Sequence, residues 1–127
     1  MRRIVIDMQN SLFADAIVQT LQKFDPDFDL YLSDFPDNTL EVCQMVNANI
    51  LVMEVRSFSP WKLDERMSLK SSVKSELPDC KIVLIVDENS EKKTAEKIRQ
   101  AKKDGLIDQF IYGSVSAAYL AAIIDTL

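Results

Sequence analysis

Histidine is absent from this sequence, and glycine occurs only twice. Without histidine, the chain has no imidazole for acid–base catalysis, for metal ligation or for carrying a phosphoryl group. Phosphate-binding loops and dinucleotide-binding turns need several glycines at fixed spacing, and Gly105 and Gly113 do not supply such a pattern. These shortages exclude histidine chemistry and the usual ways of holding a nucleotide by its phosphates.

Cysteine is also scarce, and the spacing of Cys43 and Cys80 forms no metal or redox motif. We expect each to be a small apolar core residue. No apolar run reaches the roughly 20 residues that cross a bilayer, so we expect a cytoplasmic protein that does not contact membranes. The net charge of -5 argues against direct nucleic-acid binding by this domain. A chain of 127 residues is long enough for one domain, which we place at residues 1–127.

Short apolar runs that end on an acidic side chain recur along the chain. One unbroken run, residues 50–53, is followed by Glu54; two others lead into Asp7 and Asp87. Continuous runs of this kind are typical of strands that are buried on both faces of a parallel sheet. We therefore predict strands over residues 3–7, 28–32, 50–54, 81–86 and 109–112.

Segments with apolar residues at three- and four-residue spacing separate these strands, as expected for amphipathic helices. The first helix should be capped by Asn10 or Ser11 and the fourth should end at Gly105. In the first helix the predicted buried side chains are Leu12, Phe13, Ala16, Ile17, Leu21 and Phe24. The predicted helices span residues 11–24, 40–46, 67–77, 91–103 and 116–127.

Alternation of strands and helices predicts crossover connections and an α/β fold with a parallel sheet. Five strands and five helices in this length fit the flavodoxin-like, doubly wound order 2-1-3-4-5. In that order the first and third strands are neighbours. We therefore expect Asp7 and Glu54 to lie close together, with Asp87 one strand away.

Four segments, taken in order, resemble the receiver (CheY-like) domain of response regulators in two-component signalling, over nearly the whole chain. They are residues 4–17, residues 49–54, residues 81–86, and residues 110–120. No single segment is specific, so their order and spacing carry the resemblance. It implies the CheY-like fold and a role in bacterial phosphorelay signalling rather than an enzyme activity.

The resemblance also implies a phosphorylation pocket, yet most of its residues are replaced. Asp7 matches the first of two family acids that hold Mg²⁺, while Met8 stands in place of the second. Glu54 occupies the position of the phosphoacceptor aspartate. Gly113 replaces the lysine that pairs with the phosphoryl oxygens, and Asp87 replaces the family's hydroxyl residue.

Two further positions depend on the alignment. If the register shifts by one residue, the hydroxyl position falls on Val86 instead of Asp87. Phe110 corresponds to the aromatic residue that rotates on activation in some family members. A two-residue insertion separates Glu54 from Pro60, relative to the family pattern.

Phosphotransfer to Glu54 would need a divalent cation and a second cation on the phosphoryl oxygens. Met8 removes a metal ligand, Gly113 removes the second cation, and Asp87 adds a repelling charge. Alternatively, Glu54 is a fixed mimic of phosphoaspartate, although it carries one charge rather than nearly two. The residues that would respond to such a mimic are missing.

A third interpretation is a Mg²⁺ or Ca²⁺ site on Asp7, Glu54 and Asp87. Against it, Arg56, Lys62 or water would simply neutralise these acids. We therefore expect no metal and no cofactor. The fourth interpretation, a pseudo-receiver that keeps the fold as a scaffold for partners, needs none of the lost chemistry and explains why several positions degenerated together.

A partner surface is predicted on the fourth helix, the fifth strand and the last helix, which form the family's usual output and dimer face. The residues that mark it are Lys97, Phe110, Tyr112 and Tyr119. We expect a protein partner or a homodimer there.

The sequence thus predicts a phosphorylation-independent regulatory or protein-interaction module. It fits the N-terminal part of a transcriptional regulator with an attached DNA-binding domain. The alternatives are a receiver that still binds a divalent metal or a phosphoryl group at its acidic cluster, and a flavodoxin-like protein that binds a small ligand.

Overall fold

The computed structural model describes residues 2–127, in which five strands alternate with five helices. The strands are β1 (Arg3–Asp7), β2 (Asp29–Ser33), β3 (Ile50–Val55), β4 (Lys81–Val86) and β5 (Gln109–Tyr112). The helices are α1 (Ser11–Phe24), α2 (Pro36–Val46), α3 (Leu63–Glu76), α4 (Lys92–Lys103) and α5 (Ala117–Asp125).

All strand pairs are parallel, and the sheet has the order β2-β1-β3-β4-β5. This confirms the predicted fold. Every residue of β3 is buried, as its unbroken apolar run predicted. Because successive side chains of a strand point to opposite faces, each strand divides its side chains between two cores.

The two cores lie on opposite faces of the sheet. On one face, Ile6 and Val52 pack with buried residues of α1 and α5, and we call this the α1–α5 face. On the other, Val5, Leu51 and Met53 pack with buried residues of α2, α3 and α4, and we call this the α2–α4 face. Which face a strand residue occupies decides which helices its side chain can reach.

Several helix boundaries differ from those predicted. Helix α2 begins at Pro36, because proline suits the first turn of a helix, where its missing N–H costs nothing. Helix α3 begins at Leu63, four residues before the predicted start, which brings Arg66 into the helix. In α1 the cap is Asn10, one of the two predicted candidates, and its Oδ1 accepts the N–H of Phe13 at 3.1 Å.

The buried face of α1 was only partly predicted. Its buried residues are Ala14, Ile17 and Leu21. Leu12 and Phe24, which were predicted to be buried, are 81% and 46% exposed. Ala16 is exposed too, because the helix presents Ala14 to the sheet instead.

Both cysteines are buried and free, in agreement with the prediction that they fill the core. Burial raises the pKa of the Cys43 thiol to about 12 and that of the Cys80 thiol to about 11. Both therefore stay neutral at physiological pH. Between residues 2 and 127, no helix combines the length and apolar character needed to cross a membrane.

Candidate functional site

Glu54 lies near the carboxyl end of β3 and is 7% exposed. It alternates with Met53 and Val55 and so belongs to the α1–α5 face. Its Oε1 accepts the backbone N–H of Gln9 at 2.8 Å and that of Asn10 at 3.2 Å. Since these residues lead into α1, the Glu54 carboxylate ties the central strand to the loop after β1.

Arg56 supplies the third partner of Glu54. Its Nη1 lies 3.4 Å from Glu54 Oε2, and its side chain is 35% exposed. The pair is therefore loose and partly solvated. One carboxylate oxygen is held by backbone donors, and the other faces this guanidinium.

Asp7 ends β1 and is 1% exposed. Its carboxylate forms a two-point ion pair with Arg66 of α3: Nη1 lies 2.7 Å from Oδ2 and Nη2 lies 3.2 Å from Oδ1. The Arg66 side chain is also 1% exposed. Two-point pairing of a guanidinium with a carboxylate is the strongest geometry open to these groups.

Arg66 also donates two hydrogen bonds to backbone carbonyls. Nε donates to the backbone carbonyl of Glu54 at 2.8 Å, and Nη2 donates to that of Asp7 at 3.2 Å. On the α2–α4 face of the sheet, the Arg66 guanidinium therefore links β1 to β3.

Helix α2 completes the network around Asp7. The Thr39 hydroxyl donates to Asp7 Oδ2 at 2.6 Å, and it lies 2.7 Å from the Ser33 hydroxyl. Thr39 and Ser33 are both buried. We call Ser33, Thr39, Asp7 and Arg66 the buried network, which joins β1, β2, α2 and α3.

The predicted convergence of Asp7 with Glu54 is wrong. Asp7 is in register with Met53, so its side chain shares the α2–α4 face with Met53. Glu54, the next residue of β3, points to the opposite face. The two strands are neighbours as predicted, but the two carboxyl groups bond to different helices and loops.

Asp87 and Gly113 do join Glu54, in a pocket of about 320 Å³ that Arg56 and Ser114 also line. Met8 and Asp7 are not among its lining residues. Met8 is 8% exposed and packs in the core of the α1–α5 face.

Val86 and Asp87, at the end of β4, have different surroundings. Val86 is buried in the core of the α2–α4 face, so Asp87 is the residue that reaches the pocket. Asp87 Oδ1 accepts the backbone N–H of Asn89 at 2.9 Å and that of Ser90 at 3.4 Å. The hydrogen bond from Asn89, and after it that from Ser90, holds the pKa of Asp87 below its usual range. The pocket thus contains two carboxylates and one guanidinium.

The backbone around Gly113 does not require a glycine. A Cβ at Gly113 would meet the Val86 carbonyl at 3.7 Å and the Asp87 Cα at 3.9 Å, which are ordinary contacts. Crowding at the Cβ position therefore does not explain why this residue has no side chain.

The acidic side chains Asp7 and Glu54 already have partners within the protein. Within residues 2–127, no three acidic, cysteine or histidine side chains are grouped as a metal site. Asp7 is already matched by Arg66, and Glu54 by Arg56 and two backbone amides. Mg²⁺ binds through oxygen ligands, so a cation at either carboxylate would have to compete with these partners.

The predicted interface residues occupy two separate surfaces. Phe110 and Tyr112 of β5 stack edge to face at 5.5 Å. Arg99 of α4 donates to the Tyr112 hydroxyl at 2.6 Å, while Tyr119 of α5 is 56% exposed. Lys97 instead lines a groove between α3 and α4.

Arg66, Thr39 and Ser33 were missed by the sequence reasoning. One signal was present: Arg66 precedes Val73 by seven residues, which places both on one helix face. Both are buried in α3. An arginine on the buried face of a helix needs an acidic partner, and Asp7 at the end of a strand was a candidate.

The fold matches solved structures, although the sequence alone does not reveal relatives. No family model matches the chain, and no curated protein matches it either. The five-stranded parallel sheet of order 2-1-3-4-5 with five helices is the fold of CheY-like receiver domains of response regulators.

Three of the matching structures illustrate the likeness. A response regulator from Thermotoga maritima has a TM-score of 0.78 at 14% identity, covering 99% of this chain and 96% of that one. A LuxR-family DNA-binding response regulator from Staphylococcus aureus has a TM-score of 0.75 at 14% identity, with coverage of 99% and 98%. HP1043, an orphan response regulator of H. pylori, has a TM-score of 0.73 at 14% identity, with coverage of 98% and 94%.

Proposed function

We propose that this protein is a pseudo-receiver, a regulatory module of receiver fold that binds protein partners without being phosphorylated. The observation that carries the proposal is the buried ion pair between Arg66 and Asp7. Asp7 is the one acid that the resemblance assigns to Mg²⁺ binding, and an internal cation already neutralises it.

Displacing Arg66 from Asp7 would be costly. A metal ion that bound the Asp7 carboxylate would leave the buried guanidinium of Arg66 without its counter-charge. Breaking a buried ion pair in this way costs about 3–5 kcal/mol. Metal binding at this position would therefore have to overcome a large part of the stability of a domain of this size, about 5–15 kcal/mol.

Glu54 is also poorly placed as a nucleophile. Its Oε1 is occupied by the N–H groups of Gln9 and Asn10. An incoming phosphoryl anion would meet Asp87 on the other side of the pocket, and Gly113 offers it no positive charge. In this proposal Glu54 anchors the β1–α1 loop and does not take part in phosphotransfer.

The receiver fold of the structural neighbours supports a signalling role without catalysis. One of them is described as an orphan response regulator and another as a DNA-binding response regulator. We extend the proposal to regulation of transcription, in which this domain binds protein and an attached domain would bind DNA. The surface that we assign to the protein partner is formed by α4, β5 and α5, and it includes the exposed Tyr119 of α5.

Treatment with acetyl phosphate and Mg²⁺ should leave the protein unphosphorylated. Intact-mass spectrometry would measure the product, with a receiver domain that has the complete acid set treated in parallel as the positive control. We expect no phosphate adduct, because Arg66 already neutralises the Asp7 carboxylate and Gly113 supplies no lysine for the phosphoryl oxygens. A phosphate adduct that forms on the wild type and disappears in Glu54→Gln would overturn the proposal.

A further inference from the structure

Two segments of this chain carry opposite charge. Residues 25–41, which include β2 and the start of α2, carry six acidic side chains and no lysine or arginine. Helix α4 carries six lysine and arginine side chains and a single acid, Glu96. Oppositely charged surfaces on one chain favour contact between the acidic surface of one copy and the basic surface of another.

A groove between α3 and α4 lies on the basic side. Its volume is about 610 Å³, and we call it the α3–α4 groove. Leu63 and Met67 provide half-buried apolar walls, while Lys62 and Lys97 are exposed at the rim. One acid, Asp64, also lines it. Apolar walls between two free cations suit an apolar side chain that is flanked by carboxylates.

The acidic side of the same chain presents such a group. Phe35 precedes α2 and is 41% exposed, and its ring rests edge to face on Trp61 at 5.8 Å. Asp34 and Asp37 flank it, and Glu41 lies one helical turn beyond Asp37 on α2. All three acids are exposed. We call Asp34, Phe35, Asp37 and Glu41 the acidic ridge.

We propose that the acidic ridge of one copy docks into the α3–α4 groove of a second copy. Phe35 enters between Leu63 and Met67, while the carboxylates of the ridge face Lys62 and Lys97. The inference deepens the proposed function, on which it rests, by naming one partner of the module as the chain itself. It leaves the Tyr119 surface free for a different protein.

The position of the two surfaces favours a closed dimer. The ridge follows the carboxyl end of β2, and the groove is built from the loop after β3 and the first turns of α3 and α4. Both therefore lie at the same end of the sheet. A twofold axis can then pair each ridge with the partner's groove, and the contact is made twice.

Sedimentation velocity at low and high salt tests the dimer. We expect a monomer–dimer equilibrium at ~0.01 M salt that shifts to monomer at ~1 M salt, because the Debye length falls from about 30 Å to about 3 Å. Wild type that stays monomeric across the accessible concentration range at low salt would overturn the inference. So would a dimer that is indifferent to salt.

A charge swap tests the surfaces themselves. The groove variant Lys62→Glu/Lys97→Glu and the ridge variant Asp34→Lys/Glu41→Lys should each dimerise about a hundredfold or more weakly, since like charges then meet. An equimolar mixture should recover a dimer, because each reversed surface finds its complement. The matched control, Lys93→Glu/Lys103→Glu, reverses two exposed charges of α4 outside the groove and should keep the dimer.

Failure of this inference can be told apart from failure of the proposed function. If the mixture stays monomeric while each variant keeps the wild-type circular dichroism spectrum, the docking assignment is overturned. That result would not alter the expected absence of a phosphate adduct. A phosphate adduct on Glu54, in turn, would overturn the pseudo-receiver proposal whatever the oligomeric state.

Discussion

Replacing Arg66 with methionine should lower the free energy of unfolding by about 3–5 kcal/mol. The change removes the only cation bonded to the buried Asp7 carboxylate among residues 2–127 and leaves that charge against Thr39 alone. It also removes the donor to the Glu54 carbonyl. Urea denaturation measures the effect as a lower transition midpoint at an unchanged slope.

Two further variants separate the buried ion pair from loss of packing. The double variant Asp7→Val/Arg66→Met should recover much of the lost stability, since a buried pair replaced by apolar groups of similar volume is often close to neutral. Arg56→Met serves as the matched control, because the Arg56–Glu54 pair is partly solvated. Its effect should stay below about 1 kcal/mol. If Arg66→Met and Arg56→Met lower the free energy of unfolding by the same amount, the ion pair with Arg66 does not stabilise the buried Asp7 carboxylate.

Replacing Glu54 with alanine should cost about 2–4 kcal/mol, because two hydrogen bonds to a charged acceptor are lost. The amides of Gln9 and Asn10 lose their common partner, and the β1–α1 loop loses its attachment to β3. Hydrogen exchange should therefore accelerate at these two amides more than at amides in the middle of the sheet.

The conservative variant Glu54→Gln distinguishes anchoring from charge. Its amide oxygen can still accept both N–H groups, so stability should change by about 1 kcal/mol or less, and exchange at Gln9 should stay slow. If Glu54→Ala left exchange at Gln9 and Asn10 unaltered, Glu54 would not anchor the loop. The role of Glu54 would then have to be tested by measuring how Glu54→Ala and Glu54→Gln change the affinity for a partner.

The sheet was the most predictable part of the fold. β1, β4 and β5 begin and end at the predicted residues, because each is an apolar run bounded by polar or turn-forming residues. The start of α2 was missed because Pro36 was taken as part of a loop. The start of α3 was missed because its apolar residues are sparse, and packing, more than local pattern, fixes where it begins.

Strand order allowed part of the candidate site to be predicted. The part that depends on strand register was predicted wrongly. Glu54, Asp87 and Gly113 meet because β3, β4 and β5 are neighbours and end at one edge of the sheet. Asp7 is not part of this pocket. It is in register with Met53, so its side chain lies on the other face of the sheet. Its partner Arg66 lies 59 residues away in the chain, a distance over which local sequence patterns carry no information.

If this chain is a pseudo-receiver, Arg66 and the amides of Gln9 and Asn10 hold the two carboxylates that the receiver pattern assigns to Mg²⁺ and phosphate. Backbone-amide NMR, with Mg²⁺ added first and beryllofluoride second as a phosphoryl stand-in, is the measurement to make. We expect no specific shift with either addition at Asp7, Glu54, Asp87 or Gly113. Saturable shifts at Glu54 and Asp87 that extend to Phe110 with beryllofluoride would show a working receiver switch and contradict the proposal.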